Sequence, residues 1–195
     1  MRLLKKVRYA DGIIMLLIIG LFQLLSGCNT MERRIALMKK RPLDLCLDSL
    51  LYLNSTRDSA RYDIKTTNFI FVVYMDSLQC VSCEVNRLPL WNDLILWANT
   101  FDGDFGIVFI FSPSKEGKTM VEHLLPASKL MSGVYIDESH IFTENNPHIP
   151  SNPLFHKFLL DRNGNVLLVG DPTSNTRIEK LLREIVTEKF TGNAK

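Results

Sequence analysis

Two cysteines separated by two residues, Cys80 and Cys83 in Gln79-Cys-Val-Ser-Cys-Glu84, are the side chains best suited to chemistry. Such a pair can cycle between dithiol and disulfide, or offer two soft sulfurs to a metal. As a structural staple it is poor, because so tight a loop stores strain and is easily reduced. The pair follows the apolar run Phe69-Ile-Phe-Val-Val-Tyr-Met75 and precedes a helical pattern. A strand that delivers the first sulfur to the start of a helix sets it against unpaired N–H groups and partial positive charge, which favours a thiolate over a thiol.

The elements that must position the pair can be read from apolar periodicity. Phe69–Met75 and Phe105–Phe111 are continuous β-branched and aromatic runs, expected as strands buried on both faces. Between them Val85, Leu88, Trp91, Leu94, Ile95 and Ala98 recur at helical spacing, with Pro89 expected to kink the helix. A second helix is expected over Lys115–Leu125, a short strand over Val134–Ile136, and a loop over Asp137–Pro153. Phe155–Leu160 and Val166–Val169 read as a hairpin around Asp161-Arg-Asn-Gly-Asn165. Arg177–Phe190 closes the chain as an amphipathic helix. A β-α-β start requires a parallel pair and the late hairpin an antiparallel one. The expected class is therefore α/β, a mixed sheet flanked by helices on both faces.

The region Arg41–Lys65 is less decisive. Leu43, Leu45 and Leu47 alternate with Asp44, Cys46 and Asp48, and Leu51 and Leu53 follow, which argues for an N-terminal strand or hairpin, while Asp48-Ser-Leu-Leu-Tyr-Leu53 equally suits a helical turn. Cys46 reads as a small buried side chain, or as a third redox thiol if the fold brings it to Cys80.

The N-terminus carries a different signal. Arg2, Lys5, Lys6 and Arg8 precede an apolar run, Ile13 to Leu25, that is too short to span a bilayer, and Ser26-Gly27-Cys28 follows. Basic, apolar and small-residue segments in that order are a secretory signal. Leu25-Ser26-Gly27-Cys28 resembles the lipobox of bacterial lipoproteins, which implies cleavage before Cys28, acylation of Cys28 (palmitate being a typical chain) and anchoring to a membrane. The expected organisation is a signal peptide over 1–27, a lipid-anchored tether over 28–42 and a folded domain over 43–195, with its core at 69–190. The implied location is the bacterial cell envelope, outside the cytoplasm and periplasm-facing, where disulfides persist. The formal net charge of +2 comes from the signal, and the remainder is close to neutral. No basic stripe offers itself to nucleic acid.

With these elements in place, the chain resembles the thioredoxin superfamily, and within it the membrane-tethered thiol-disulfide lipoproteins of the TlpA/ResA kind. The resemblance rests on the strand, Cys80-Val-Ser-Cys83, helix unit, on Pro89 within that helix, and on Phe158-Leu-Leu-Asp-Arg-Asn-Gly-Asn-Val166, which is similar to the family's hairpin motif. It implies a thioredoxin-like fold, no bound cofactor, and a protein thiol or disulfide as partner. Cys80 would be the attacking thiolate and Cys83, further into the helix, the resolving thiol. The sequence departs from the family at Gln79, where a Trp is usual, and at Phe155, where the family carries its cis-proline. Pro153 is the nearest proline, so Pro153, Phe155 and His156 are the candidate substrate loop. Tyr74 stands where the family has a buried acid, with Asp76 or Glu84 as substitutes. Glu84 adds negative charge beside the pair and points to a reductant or mild exchanger rather than a strong oxidant.

Two other chemistries remain open at this level. A copper-delivering thioredoxin-fold protein would use Cys80 and Cys83 with His148 or His156. A peroxiredoxin-like antioxidant would need a Pro-x-x-x-Thr-x-x-Cys approach, which the residues before Cys80 lack. Structural zinc would need a second paired motif, and none is present.

Overall fold

The computed structural model describes residues 30–55 and 66–192. The signal segment and Cys28 lie outside these residues, as does most of the polar stretch after Asn54. Residues 30–38 are helical (α1), and no helix among the described residues is long and apolar enough to cross a membrane. Contacts divide the chain between Leu37 and Met38 into two units.

The second unit is built on a six-stranded mixed sheet. Its strands are β1 (Leu51–Leu53), β2 (Phe69–Met75), β3 (Phe105–Phe111), β4 (Val134–Ile136), β5 (Lys157–Asp161) and β6 (Val166–Val169), in the order β1-β4-β3-β2-β5-β6. β2 pairs parallel with β3 in register Phe69↔Phe105 to Met75↔Phe111, and β3 pairs parallel with β4. β5 and β6 add antiparallel, as the hairpin requires. β2 and β3 occupy the central positions and are buried along their whole length, which is what an uninterrupted apolar run demands.

Two crossovers leave β2 and β3 in the same direction across the sheet, so right-handed connections put both on one face. The first holds α2 (Val81–Arg87), a 3₁₀ segment Leu88–Trp91 and α3 (Asn92–Ala98). Pro89 opens that 3₁₀ segment, so the expected kink is a break between two helices. The second crossover is α4 (Lys115–Leu124), capped by the Ser114 hydroxyl, which accepts the Gly117 N–H at 3.2 Å. Phe71, Val73, Phe109 and Phe111 meet Val85, Trp91, Ile95 and Val121 in one core, which the closing helix α6 (Thr176–Gly192) joins through Leu182 and Val186.

The other face is covered differently from the expectation. Asp137–Pro153 is not a plain loop: Ile141–Asn145 forms a short helix, α5, and Phe142 packs its ring 4.9 Å from that of Tyr74. The Asp137 carboxylate holds α5 by accepting the Ile141 and Phe142 N–H groups at 2.9 and 3.0 Å. Leu43, Leu45 and Leu47 alternate in burial as predicted, yet they form no ladder, and the first strand is Leu51–Leu53 at the sheet edge. The segment crosses the β5–β6 turn instead, with Leu43 N–H donating to Gly164 C=O at 2.8 Å. β5 starts at Lys157 rather than Phe155, because Pro153–Phe155 is a 3₁₀ turn.

Candidate redox site

The site is assembled at the carboxyl end of β2. Met75 ends the strand, and Asp76-Ser-Leu-Gln79 makes a tight turn into α2. In that turn the Asp76 carboxylate accepts the Leu78 N–H at 2.9 Å. Gln79 N–H donates to Asp76 C=O at 3.3 Å, while the Gln79 side-chain oxygen accepts the Asp76 N–H at 3.1 Å. Gln79, standing where the resemblance expects a Trp, therefore locks the turn rather than forming an aromatic wall.

Cys80 is the N-cap of α2. Its sulfur accepts the Cys83 N–H at 3.4 Å and lies 3.5 Å from the Ser82 hydroxyl, and the two cysteines are joined in a disulfide with Cα atoms 5.3 Å apart. Both N–H and O–H donors stabilise charge on the Cys80 sulfur once the bond opens. Both cysteines are exposed, so burial does not set Cys83 apart as an inner sulfur. Cys46 stays outside this arrangement. It is half-buried in a left-handed conformation, its sulfur accepts the Asn145 amide N–H at 2.9 Å, and burial pushes its thiol up.

The candidate substrate loop lies across the turn. Asn152 caps the 3₁₀ turn that Pro153 opens, its side chain accepting the Leu154 N–H at 3.0 Å. No peptide bond among the described residues is cis. Phe155 is buried, and His156 C=O accepts the Tyr74 N–H at 2.8 Å, which fastens the loop to β2. His156 itself is only 2% exposed, with its ring edge-on to Tyr74 at 5.0 Å. Its Nε2 meets Pro150 C=O at 2.9 Å, and its Nδ1 faces the Asp76 Oδ2 at 3.8 Å, beyond hydrogen-bond reach. A carbonyl can only accept, so Nε2 carries the proton in the neutral ring and Nδ1 presents a lone pair. His148 also has a buried Nε2 without a hydrogen-bond partner. Among the described residues no group of three or more His, Cys, Asp or Glu side chains is placed to hold a metal ion.

Sequence reasoning offers Asp76 as a substitute acid but misses its pairing with His156, eighty positions away in the chain. It also misses the wall formed by Tyr74, Ser112 and His140. The Ser112 hydroxyl lies 2.6 Å from His140 Nδ1, and burial pushes the Tyr74 hydroxyl up. No local signal marks Ser112 or His140, and Tyr74 stands out only as the residue in the place of the family's buried acid.

Burial is also the largest influence on the His156 ring and pushes it below its ordinary value, against the Pro150 hydrogen bond and the nearby Asp76. The folded state therefore binds less proton than the unfolded chain between that depressed value and about 6.5. The stability due to neutral His156 is complete above about pH 6.5 and drains away as pH falls through the folded value. Burial pushes the Asp161 and Asp171 carboxyls up, but their hydrogen-bond partners outweigh it and hold both below the ordinary carboxylate range, outside this window. Urea unfolding of the oxidised protein at pH 7.5 and 5.5 should show a stability loss that shrinks in His156→Gln. An equal loss in both proteins would remove His156 as the cause.

Fold and site together define a class: a thioredoxin-like α/β domain with a Cys-x-x-Cys disulfide at the first turn of the helix after the central strand. No protein-family model matches the chain, and no curated protein does either. Among solved structures it is similar to a protein described as a thiol:disulfide interchange protein, DsbE, of Chlorobium tepidum (23% identity, 63% of this chain and 81% of that one, TM-score 0.44). It is also similar to StoA of Bacillus subtilis (20%, 66% and 95%, TM-score 0.46) and to the exposed lipoprotein thioredoxin of Streptococcus pneumoniae (15%, 67% and 98%, TM-score 0.44).

Proposed function

We propose that the chain is a membrane-tethered, extracytoplasmic thiol-disulfide oxidoreductase that reduces or exchanges protein disulfides through Cys80 and Cys83. The observation that carries this reading is the state of Cys80: exposed, at a helix N-cap, with its sulfur against a backbone N–H. The tether follows from Leu25-Ser26-Gly27-Cys28 alone, and the partner is a protein disulfide or dithiol.

In the reducing direction the Cys80 thiolate attacks one sulfur of the partner's disulfide. A new S–S bond joins the two proteins, and the partner's other sulfur leaves as a thiolate that takes up a proton. The Cys83 thiolate then attacks the Cys80 sulfur, closes the internal disulfide and expels the second partner thiolate. Two electrons pass to the partner, and an external dithiol must reopen the Cys80–Cys83 bond before another cycle. Because both sulfurs are exposed, the roles rest on the donors around Cys80 rather than on access.

The test is to trap the intermediate. Cys83→Ser, reacted with a disulfide-containing protein, should accumulate a mixed disulfide through Cys80, and Cys80→Ser should accumulate far less. Equal trapping would remove the assignment of roles. No trapping by either folded variant would remove disulfide exchange itself.

A further inference from the structure

A cleft of about 340 Å³ opens beside the turn that leads to Cys80. Its polar lining includes Tyr74, Asp76, His140, Thr143 and His156, and its apolar rim includes Leu78, Pro147, Ile149 and Pro150. Leu78 is 85% exposed and two residues from Cys80, a Cα path of at most about 7 Å. The cleft is therefore next to the disulfide yet does not include it.

The polar wall has a chemical bias. In neutral His156 the Nε2–H is committed to Pro150 C=O, so the buried Nδ1 is an acceptor without a hydrogen-bond partner. It faces a carboxylate oxygen, which is also an acceptor, 3.8 Å away. Two acceptors that face each other are satisfied by a group that brings more than one N–H. No Lys or Arg lines the cleft. The other buried acid nearby, Asp137, has both oxygens engaged by α5, so Asp76 supplies the cleft's charge. The rim suits an alkyl stem whose charged head reaches inward, as Lys and Arg side chains do.

We propose that this cleft takes a basic side chain, Lys or Arg, from the segment of the partner protein that flanks its reacting sulfur, with the head between Asp76 and His156 and the stem along Leu78 and the prolines. This rests on the disulfide-exchange reading, since it is the partner's bond to Cys80 that brings its flanking segment here. The site would select partners by a basic residue near the cysteine, an attraction weakened by salt.

Two measurements decide it, at pH 7.5 so that His156 stays neutral. In the first, n-butylammonium is titrated into the oxidised protein and the His156 ring resonance is followed, with n-butanol and butyrate as controls and His156→Gln to assign the signal. A saturable shift is expected with the ammonium, about fivefold weaker with butanol and absent with butyrate. In Asp76→Asn, which keeps an oxygen for the Leu78 N–H, the preference for ammonium over butanol should vanish. Equal responses to ammonium and butanol, or a preference that survives in Asp76→Asn, overturn the proposal. In the second, the reduced protein reacts with short peptides whose single cysteine is a nitrothiobenzoate mixed disulfide, flanked by Lys, norleucine or Glu. Lys peptides should react about fivefold faster than norleucine peptides, and Glu peptides slowest. Equal rates overturn the proposal. If no peptide reacts, exchange is what has failed, and the titration still decides whether the cleft prefers a cation.

Discussion

Trp91→Ala should destabilise the domain by about 3–5 kcal/mol, the usual range for deleting a large buried aromatic side chain. Trp91 ends the 3₁₀ segment that Pro89 opens, and it is 4% exposed. Its ring lies 5.5 Å from that of Phe71 on β2 and edge-on to Phe109 on β3 at 5.8 Å. It is thus the point at which the broken α2–α3 crossover is fastened to both central strands. Neither neighbour can collapse into the space, because each is fixed in a strand paired on both sides. Domains of this size have about 5–15 kcal/mol in all, so the loss is a large fraction of the total. Urea unfolding of the oxidised protein, followed by the fluorescence of Trp97, measures it. Trp91→Phe keeps an aromatic ring and should lose less than half as much. A loss below about 1 kcal/mol in Trp91→Ala would show that the crossover is held elsewhere.

The same region shows what the sequence makes legible. β2 and β3 are readable to the residue because a central strand buried on both faces must be apolar throughout, and polar residues at Asn68, Asp76, Asp104 and Ser112 bracket both runs. The hairpin is readable from Asn163-Gly164. Helix α5 is not, since five residues are too few to display a period and its cap comes from Asp137, four positions upstream through a left-handed His140. Leu43–Leu47 shows a different failure. Alternation reports the burial correctly but not the pairing, because any extended segment lying on a core alternates, whether or not it joins a ladder.

For the site, the Cys-x-x-Cys disulfide is local and therefore visible, and so is its place at the first turn of α2. Its surroundings are not. The exposure of Cys83 depends on how α2 sits on the sheet, and the facing of Asp76 and His156 depends on β2 pairing with β5. His156 illustrates the limit: the sequence offers it as a loop residue and a candidate ligand but shows neither its burial nor the Tyr74 N–H···O=C His156 bond that fastens it to β2. The pair emerges only when the strand register is known.

Gly164→Ala should cost about 3–4 kcal/mol, much more than a turn glycine ordinarily does. Gly164 has φ +81°, in the region that an L side chain enters at about 1–2 kcal/mol. The turn around it is rigid: the Asp161 carboxylate accepts the Asn163 and Asn165 N–H groups, each at 2.9 Å, and Asp161 C=O accepts the Gly164 N–H at 2.9 Å. Most of the destabilisation arises outside the hairpin. A Cβ at 164 would fall on the backbone carbonyl oxygen of Leu43 and within 3.2 Å of its nitrogen. The Leu43 segment would have to move away, losing its 2.8 Å hydrogen bond to Gly164 C=O and exposing part of Leu43 and Leu45. Gly103 is the control that separates backbone strain from this collision. It has φ +92° and nothing within 4 Å of its would-be Cβ, so Gly103→Ala should show the strain alone, about 1–2 kcal/mol. The excess of Gly164→Ala over Gly103→Ala in urea unfolding measures how firmly the chain before β1 is held against the hairpin. Limited proteolysis should cut the 41–50 segment faster in Gly164→Ala and at the parental rate in Gly103→Ala. If the two variants lose the same stability, the close approach of Leu43 contributes nothing, and the segment leading into the sheet is anchored by other contacts, among them its leucines, the Asp44–Asn146 hydrogen bonds at 2.8 and 2.9 Å and the Asn145 amide on the Cys46 sulfur.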